Sequence, residues 1–305
     1  DYIINLMKQK INEGLNKAKE IGNGIYPTYI IHDVEEYEEI NNVIKVKKFK
    51  IRTLPHFLEG PARSMKVIND LDENRKQHKN IQETDIFDKK LLMYKTSESL
   101  AKESYEIGRI TAFTPGWLER ESIFLHMTYK YLLGLLKSNL YDEFFEAIKT
   151  NLIPFLKPEI YGRSTLENSS FIASSANPDE KLHGQGFQAR LSGSNAEFIN
   201  IWLYMMVGKK PFIYIENELF VQFKPILPGW LFDENNKIEF TFLKSTKITY
   251  INSERVDTNK CKINKIIITT ENSKVSLENS ILPHEYALML REGKIKSLEI
   301  YLGIN

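Results

Sequence analysis

Ser192-Gly193-Ser194-Asn195-Ala196-Glu197, followed by the mostly apolar run Phe198 to Val207 and then Gly208, is the stretch on which the fold turns. Ser194 and Glu197 have capping-box spacing, in which a serine oxygen accepts an orphan backbone N–H and the glutamate three residues on reaches back, so a helix is predicted to start here. Such a start exposes backbone N–H groups at the positive end of the helix dipole. Gly193 and the hydroxyl of Ser192 can then hold an oxyanion closely. The plainer reading is an ordinary capped helix behind the glycine-rich loop that begins at Gly184, and spacing alone favours it.

Upstream of this stretch the sequence has mostly helical periodicity. Ile3, Met7, Ile11, Leu15 and Ala18 recur at helical steps and predict one amphipathic helix, ended by Gly22-Asn23-Gly24. Ile25 to His32 and Val43 to Ile51 read as a hairpin. Leu54 to Pro61 is a boundary before a helical stretch reaching Leu71, and Asn69 to Asn80 reads as a solvated loop or exposed helix. Further helices are predicted over 90–107, from Ile123 through Leu132, and over 141–156. Tyr161 to Gly193 has no sustained period, and irregular stretches of that length inside a compact chain are often functional.

Beyond Gly208 the pattern changes to strands, over 213–224, 238–251, 263–270 and 297–301, with Pro228-Gly229, Asn235-Asn236 and Glu271-Asn272 as turns. Helices followed by a run of strands argue for a mainly α protein with a β domain: a helical domain over 1–210 and a β-sandwich over 211–305.

At 305 residues the chain can build one large core or two ordinary ones. Its 42% hydrophobic and 27% charged residues are those of a soluble globular protein, and a formal net charge of +1 offers no general attraction to nucleic acid or an anionic membrane. The 17 Phe and 15 Tyr can line sugar sites as well as fill a core. Cys261 is the single cysteine, so no internal disulfide forms, and a cytoplasmic location is expected. Cys261 itself reads as a small buried apolar residue rather than a nucleophile. No apolar run is long enough to span a bilayer. The chain opens on Asp1 inside a helix, which is expected of a piece of a longer protein.

Few catalytic motifs remain once the familiar ones are sought. The histidines are scattered, no zinc-helix motif occurs, and no metal is expected. Phosphate loops, dinucleotide fingerprints and nucleophile elbows are missing from the sequence too, and no cofactor is expected. His56 beside Pro55 reads as structural or exposed, His78 as surface, and His126 as a helical packing or surface residue. Glu119, Arg120 and Glu121 before one helix, with the serine-glycine loop before another, would suit glycosyl transfer.

Ile107 to His126 resembles the segment of cellobiose and chitobiose phosphorylases that runs Pro-Gly-x-x-Glu-Asn-Gly-Gly, one residue, an aromatic, one residue, then His. Here Pro115-Gly116 leads to Glu119, Phe124 and His126. Ser192-Gly193-Ser194 resembles the Thr-Gly-Thr/Ser-Ala of the same family, in the same order. The resemblance covers residues 25–230 and implies part of an (α/α)6 barrel followed by a C-terminal β-sandwich cap. It implies that His126, Ser192 and Gly193 hold inorganic phosphate as co-substrate and that Glu119 contacts the sugar of a β-linked oligosaccharide. It further implies inversion: phosphate attacks the anomeric carbon while an aspartic acid protonates the departing oxygen, giving an α-sugar 1-phosphate.

Two departures stand out. Arg120-Glu121-Ser122 replaces Asn-Gly-Gly, which points to a divergent branch, for instance one acting on β-glucan oligosaccharides. The family's Asp-Trp-Asn-Asp neighbourhood has no counterpart either, leaving Asp33 as the nearest acid by position. The expectation is therefore a phosphorylase part without its general acid, partnered by a missing N-terminal part or a second copy. The alternatives are a hydrolase on the same barrel and a catalytically silent carbohydrate-binding or interaction module.

Overall fold

The computed structural model describes residues 1–188 and 192–304. It divides into two compact units, Asp1–Phe198 and Ile199–Asn305. In chain order the first carries α1 (Tyr2–Ile21), β1 (Ile30–Ile40), β2 (Val43–Thr53), α2 (Glu59–Ser64), α3 (Leu71–Glu83), β3 (Phe87–Asp88) and β4 (Met93–Tyr94). Next come β5 (Ile123–Phe124), α4 (Leu125–Lys137), α5 (Tyr141–Asn151), α6 (Pro158–Tyr161), β6 (Phe171–Ile172) and β7 (Gly186–Phe187). Helix α7 (Ser192–Val207) carries the division between the units.

The structure corrects the expected barrel. An (α/α)6 barrel needs two concentric rings of packed helices. In the first unit α2 and α6 have only 6 and 4 residues, and α1 has no buried residue. Over the chain 36% of residues are helical and 26% are in strands, in several small sheets. Part of the reason lies at Asp88. Its carboxylate accepts the N–H groups of Lys90 and Leu91, both at 3.1 Å, and the N–H of Ser175 at 2.7 Å. An aspartate that bonds the next backbone N–H groups competes with helix formation. The chain therefore turns back to pair β3 with β4, and the helix expected over 90–107 does not form.

Helix α4 anchors the core of this unit, with Leu125, Tyr129, Tyr131, Leu132, Leu135 and Leu136 fully buried. Each such side chain contributes about 1.5–3 kcal/mol by leaving water. Against it lies α3, in the stretch read as solvated. Its buried polar residues are hydrogen-bonded, though Asn74 Oδ1 is left without a partner among the described residues: Gln77 accepts the Tyr26 N–H at 3.1 Å, His78 Nδ1 meets the Tyr131 hydroxyl at 2.7 Å, and Asn74 donates to the Ile68 carbonyl at 2.9 Å. Hydrogen-bonded polar groups lose little on burial, so polarity alone misplaces this face.

The β1–β2 hairpin turns at Asn41 and Asn42, whose φ values of 52° and 62° fit the tight turn that matches strand twist. It is largely exposed, and its acidic strand pairs with its basic one: Glu38 with Lys45 and Lys47, Glu35 with Lys48, and Asp33 with Arg52.

The second unit continues with β8 (Phe212–Ile215), β9 (Glu218–Gln222), β10 (Lys237–Phe242), β11 (Thr246–Asn252), β12 (Lys262–Thr269), β13 (Lys274–Leu277), β14 (Ile281–Leu282), α8 (His284–Glu292) and β15 (Ser297–Gly303). A five-stranded sheet has the order β10-β11-β15-β12-β13, with β11 and β15 parallel; a three-stranded sheet has the order β14-β9-β8. The run read as one strand over 213–224 folds back at Glu216 and Asn217, both with left-handed backbone. Phe242 of the larger sheet stacks on Phe212 at 6.2 Å and meets Phe223 edge-on at 5.9 Å, joining the two sheets over a core that includes Ile248, Tyr250, Ile266, Ile268, Leu298 and Ile300.

Candidate functional site

A three-stranded sheet, β5-β6-β7, sits immediately before α4 and aligns Phe124 with Phe171 and Phe171 with Phe187. Cross-strand neighbours on one face stand close enough to stack. A row of rings results: Trp117 lies flat on Phe187 at 3.6 Å, Phe187 stacks on Phe171 at 5.5 Å, Phe171 on Phe124 at 4.7 Å, and His126 meets Phe124 edge-on at 5.8 Å. The loop that carries Glu119 is thereby tied to one end of the row. His126, in the first turn of α4, stands at the other.

The start of α7 reaches that same histidine. A Cβ built on Gly193 would stand 2.6 Å from His126 Nδ1 and 2.8 Å from its Cε1 and Cγ, so only a residue without a side chain fits against the ring. Asn168 holds this junction: it accepts the Tyr129 hydroxyl at 2.7 Å from α4 and donates to Asn195 of α7 at 3.0 Å. Two segments far apart in sequence thus meet at His126 and Gly193. Ser192 begins the helix, while its side chain lies outside the described residues. Ser194, read as the cap, stands buried within the first turn.

Charges of both signs act on the junction. Desolvation lowers the pKa of His126, and Lys130 and Lys66 lower it further against the opposing pull of Glu197 and Glu59. A histidine shifted below its ordinary value is neutral at pH 7, so His126 offers one N–H donor and one acceptor rather than a charge. Lys130, four residues on, shares the His126 face of α4 and was within reach of sequence reasoning. No sequence signal pointed to Lys66, which folding alone brings near.

The acidic candidates separate. Glu119 accepts from Arg109 at 3.3 Å and remains partly exposed. Glu121 is buried and accepts the Leu100 N–H at 3.1 Å, which gives it a structural task. Its φ is 57°, and this is the position at which the resembled segment has a glycine. Arg120 donates to the carbonyls of Thr111 and Phe113 at 2.7 and 3.0 Å, and Ser122 donates to the Leu118 carbonyl. Gly116, with φ 72°, lies so close to Asn177 that a Cβ would stand 2.5 Å from its backbone nitrogen. The Glu119 loop is therefore a braced turn. Asp33 accepts from Arg52 Nε at 3.0 Å and lines a separate cavity of about 590 Å³ with Arg52 and Arg109.

The other histidines are placed by packing. His78 is buried, against the surface reading, and burial pushes its pKa down to about 4. Burial likewise lowers that of His56, which is opposed by Glu98. Among the described residues no group of three or more His, Cys, Asp or Glu is placed to hold a metal ion, and no helix is long and apolar enough to cross a membrane. Set against known proteins, the chain matches no family model and no curated protein.

Proposed function

We propose that this chain binds inorganic phosphate between His126 and the first turn of α7, as the phosphate-holding part of an inverting glycoside phosphorylase acting on β-glucosidic bonds. One observation carries the reading: the Gly193 backbone lies directly against the His126 ring. The first N–H groups of a helix have no intrahelical acceptor and sit at the positive end of its dipole. Placed beside an imidazole N–H and without an intervening side chain, they suit a tetrahedral oxyanion.

The chemistry follows from what phosphate is. An oxygen of the anion attacks the anomeric carbon from the face opposite the departing sugar, the glycosidic C–O bond breaks, and the leaving oxygen takes a proton from a general acid. Since phosphate arrives already ionised, no general base is required; holding it in line is the protein's contribution. Glu119, beyond the aromatic row, is assigned to a sugar hydroxyl. The general acid is assigned to the family's aspartic acid, whose neighbourhood has no counterpart in residues 1–305.

Calorimetry with inorganic phosphate tests this. The chain is expected to bind phosphate, His126→Ala to weaken binding at least about tenfold, and the chain by itself to release no sugar 1-phosphate from cello- or laminari-oligosaccharides. Sugar binding that ignores phosphate and survives His126→Ala would sink the reading in favour of a carbohydrate-binding module.

A further inference from the structure

A neutral histidine and helix N–H groups orient a phosphate dianion but do not neutralise it. The fold places the missing charge beside them. A cavity of about 340 Å³ opens between α2 and α4, lined by Glu59, Arg63 and Lys66 from one side and by Met127 and Lys130 from the other. Met127 follows His126 directly, and Lys130 lies one turn along the same face of α4, so cavity and histidine are adjacent. Glu197 of α7 acts electrostatically on both Lys66 and His126.

The cations here are not equivalent. Arg63 is already engaged, donating to Glu59 at 2.8 Å. Lys66 and Lys130 form no ion pair within 4.0 Å among the described residues. Desolvation lowers the pKa of Lys66, and Lys137, Lys130 and Arg63 lower it further against Glu197. Positive groups crowded in this way repel one another, and a dianion among them would remove that repulsion.

We propose that Lys66 and Lys130 are further ligands of the oxyanion at His126 and supply the positive charge that neutralises it. This rests on the phosphate reading above. The ligand class is a phosphate dianion, either inorganic phosphate or the phosphate end of a sugar 1-phosphate. The α2–α4 cavity is the space that the sugar-free side of that group enters.

Calorimetry on the full chain with inorganic phosphate, and in a second arm with glucose 1-phosphate, decides it. Lys66→Gln and Lys130→Gln are each expected to weaken phosphate binding about tenfold, as befits a lost charge-assisted hydrogen bond, whereas Lys66→Arg and Lys130→Arg stay within about threefold of the parent. Lys102→Gln, at an exposed position lining a different cavity, serves as the control and is expected to bind as the parent does. Thermal melts establish that each variant is folded. Weaker binding of both sugar phosphate and phosphate supports one shared site; loss confined to glucose 1-phosphate overturns the assignment to the phosphate group. Glutamine variants that bind phosphate like the parent while His126→Ala loses it overturn the role of the lysines and leave the phosphate reading standing. Equal weakening by glutamine and arginine also overturns it, since a charge effect spares arginine. A parent chain that takes up no phosphate removes both proposals together.

Discussion

At the scale of single residues, Gly193 is the most constrained position of the candidate site. Adding one methyl group places a carbon 2.6 Å from His126 Nδ1, well inside contact distance, so the ring or the helix start has to move. Overpacking of this kind costs about 1–3 kcal/mol. Replacing a helical glycine with alanine returns about 1 kcal/mol of helix propensity, so the net change in stability is small. Gly193→Ala is therefore expected to weaken phosphate binding about tenfold, with a melting shift of only a few degrees. Calorimetry and a displaced His126 imidazole signal in nitrogen NMR check it together. A variant that binds like the parent with an unmoved ring would mean that the contact has no part in the site. Glycine at this position and histidine at 126 were both legible in the sequence, through a helix start and a spaced motif. Lys66 was not, because nothing local marks a lysine whose neighbours come from another helix.

At the scale of elements, α3 and α4 show how a polar helix becomes part of a core. His78 of α3 and Tyr131 of α4 share a hydrogen bond of 2.7 Å, and their rings stack at 6.1 Å. Burial pushes the His78 pKa down to about 4, against the pull of Glu143, while the unfolded chain keeps an ordinary value of about 6.5. The unfolded state then takes up the proton more readily. Stability due to this group is complete above about pH 6.5 and is lost as pH falls toward 4, by about 3 kcal/mol in all. Urea unfolding of the parent and of His78→Gln across that window measures it: the parent should lose stability more steeply on acidification, and parallel curves would refute the assignment. The composition of α3, with Asn74, Gln77 and His78 on one face, concealed its burial. Its partners Tyr26, Ile68 and Tyr131 are supplied from elsewhere in the chain.

At the scale of the whole molecule, the change from helical to strand periodicity at Gly208 corresponds to a unit rich in sheet from β8 onward, and the hydrophobic alternation of β15 matches its burial. Ile300 is fully buried on β15, between β11 and β12. Ile300→Ala removes buried methyl groups from the middle of the five-stranded sheet and is expected to cost about 2–5 kcal/mol, read as a lowered urea midpoint. A loss below about 0.5 kcal/mol, the range of exposed substitutions, would show that this sheet face is not the core of the unit. The first unit was less legible. Its periodic segments suggested a series of helices and the family resemblance implied a barrel, yet the carboxylate of Asp88 and the braced turn at Gly116 divert the chain into short strands and turns.

What the sequence determined by itself is local: that a helix starts close to Ser194, and where the strand pattern takes over. Capping, turn chemistry and periodicity act over a few residues and need no distant partner. The tertiary structure alone decided that no closed barrel forms, that the polar face of α3 is buried, and that Gly193 rests on His126 with Lys66 and Lys130 nearby. Each of these depends on side chains dozens of residues apart meeting at hydrogen-bond or van der Waals distance, and no local pattern encodes which distant group will be there.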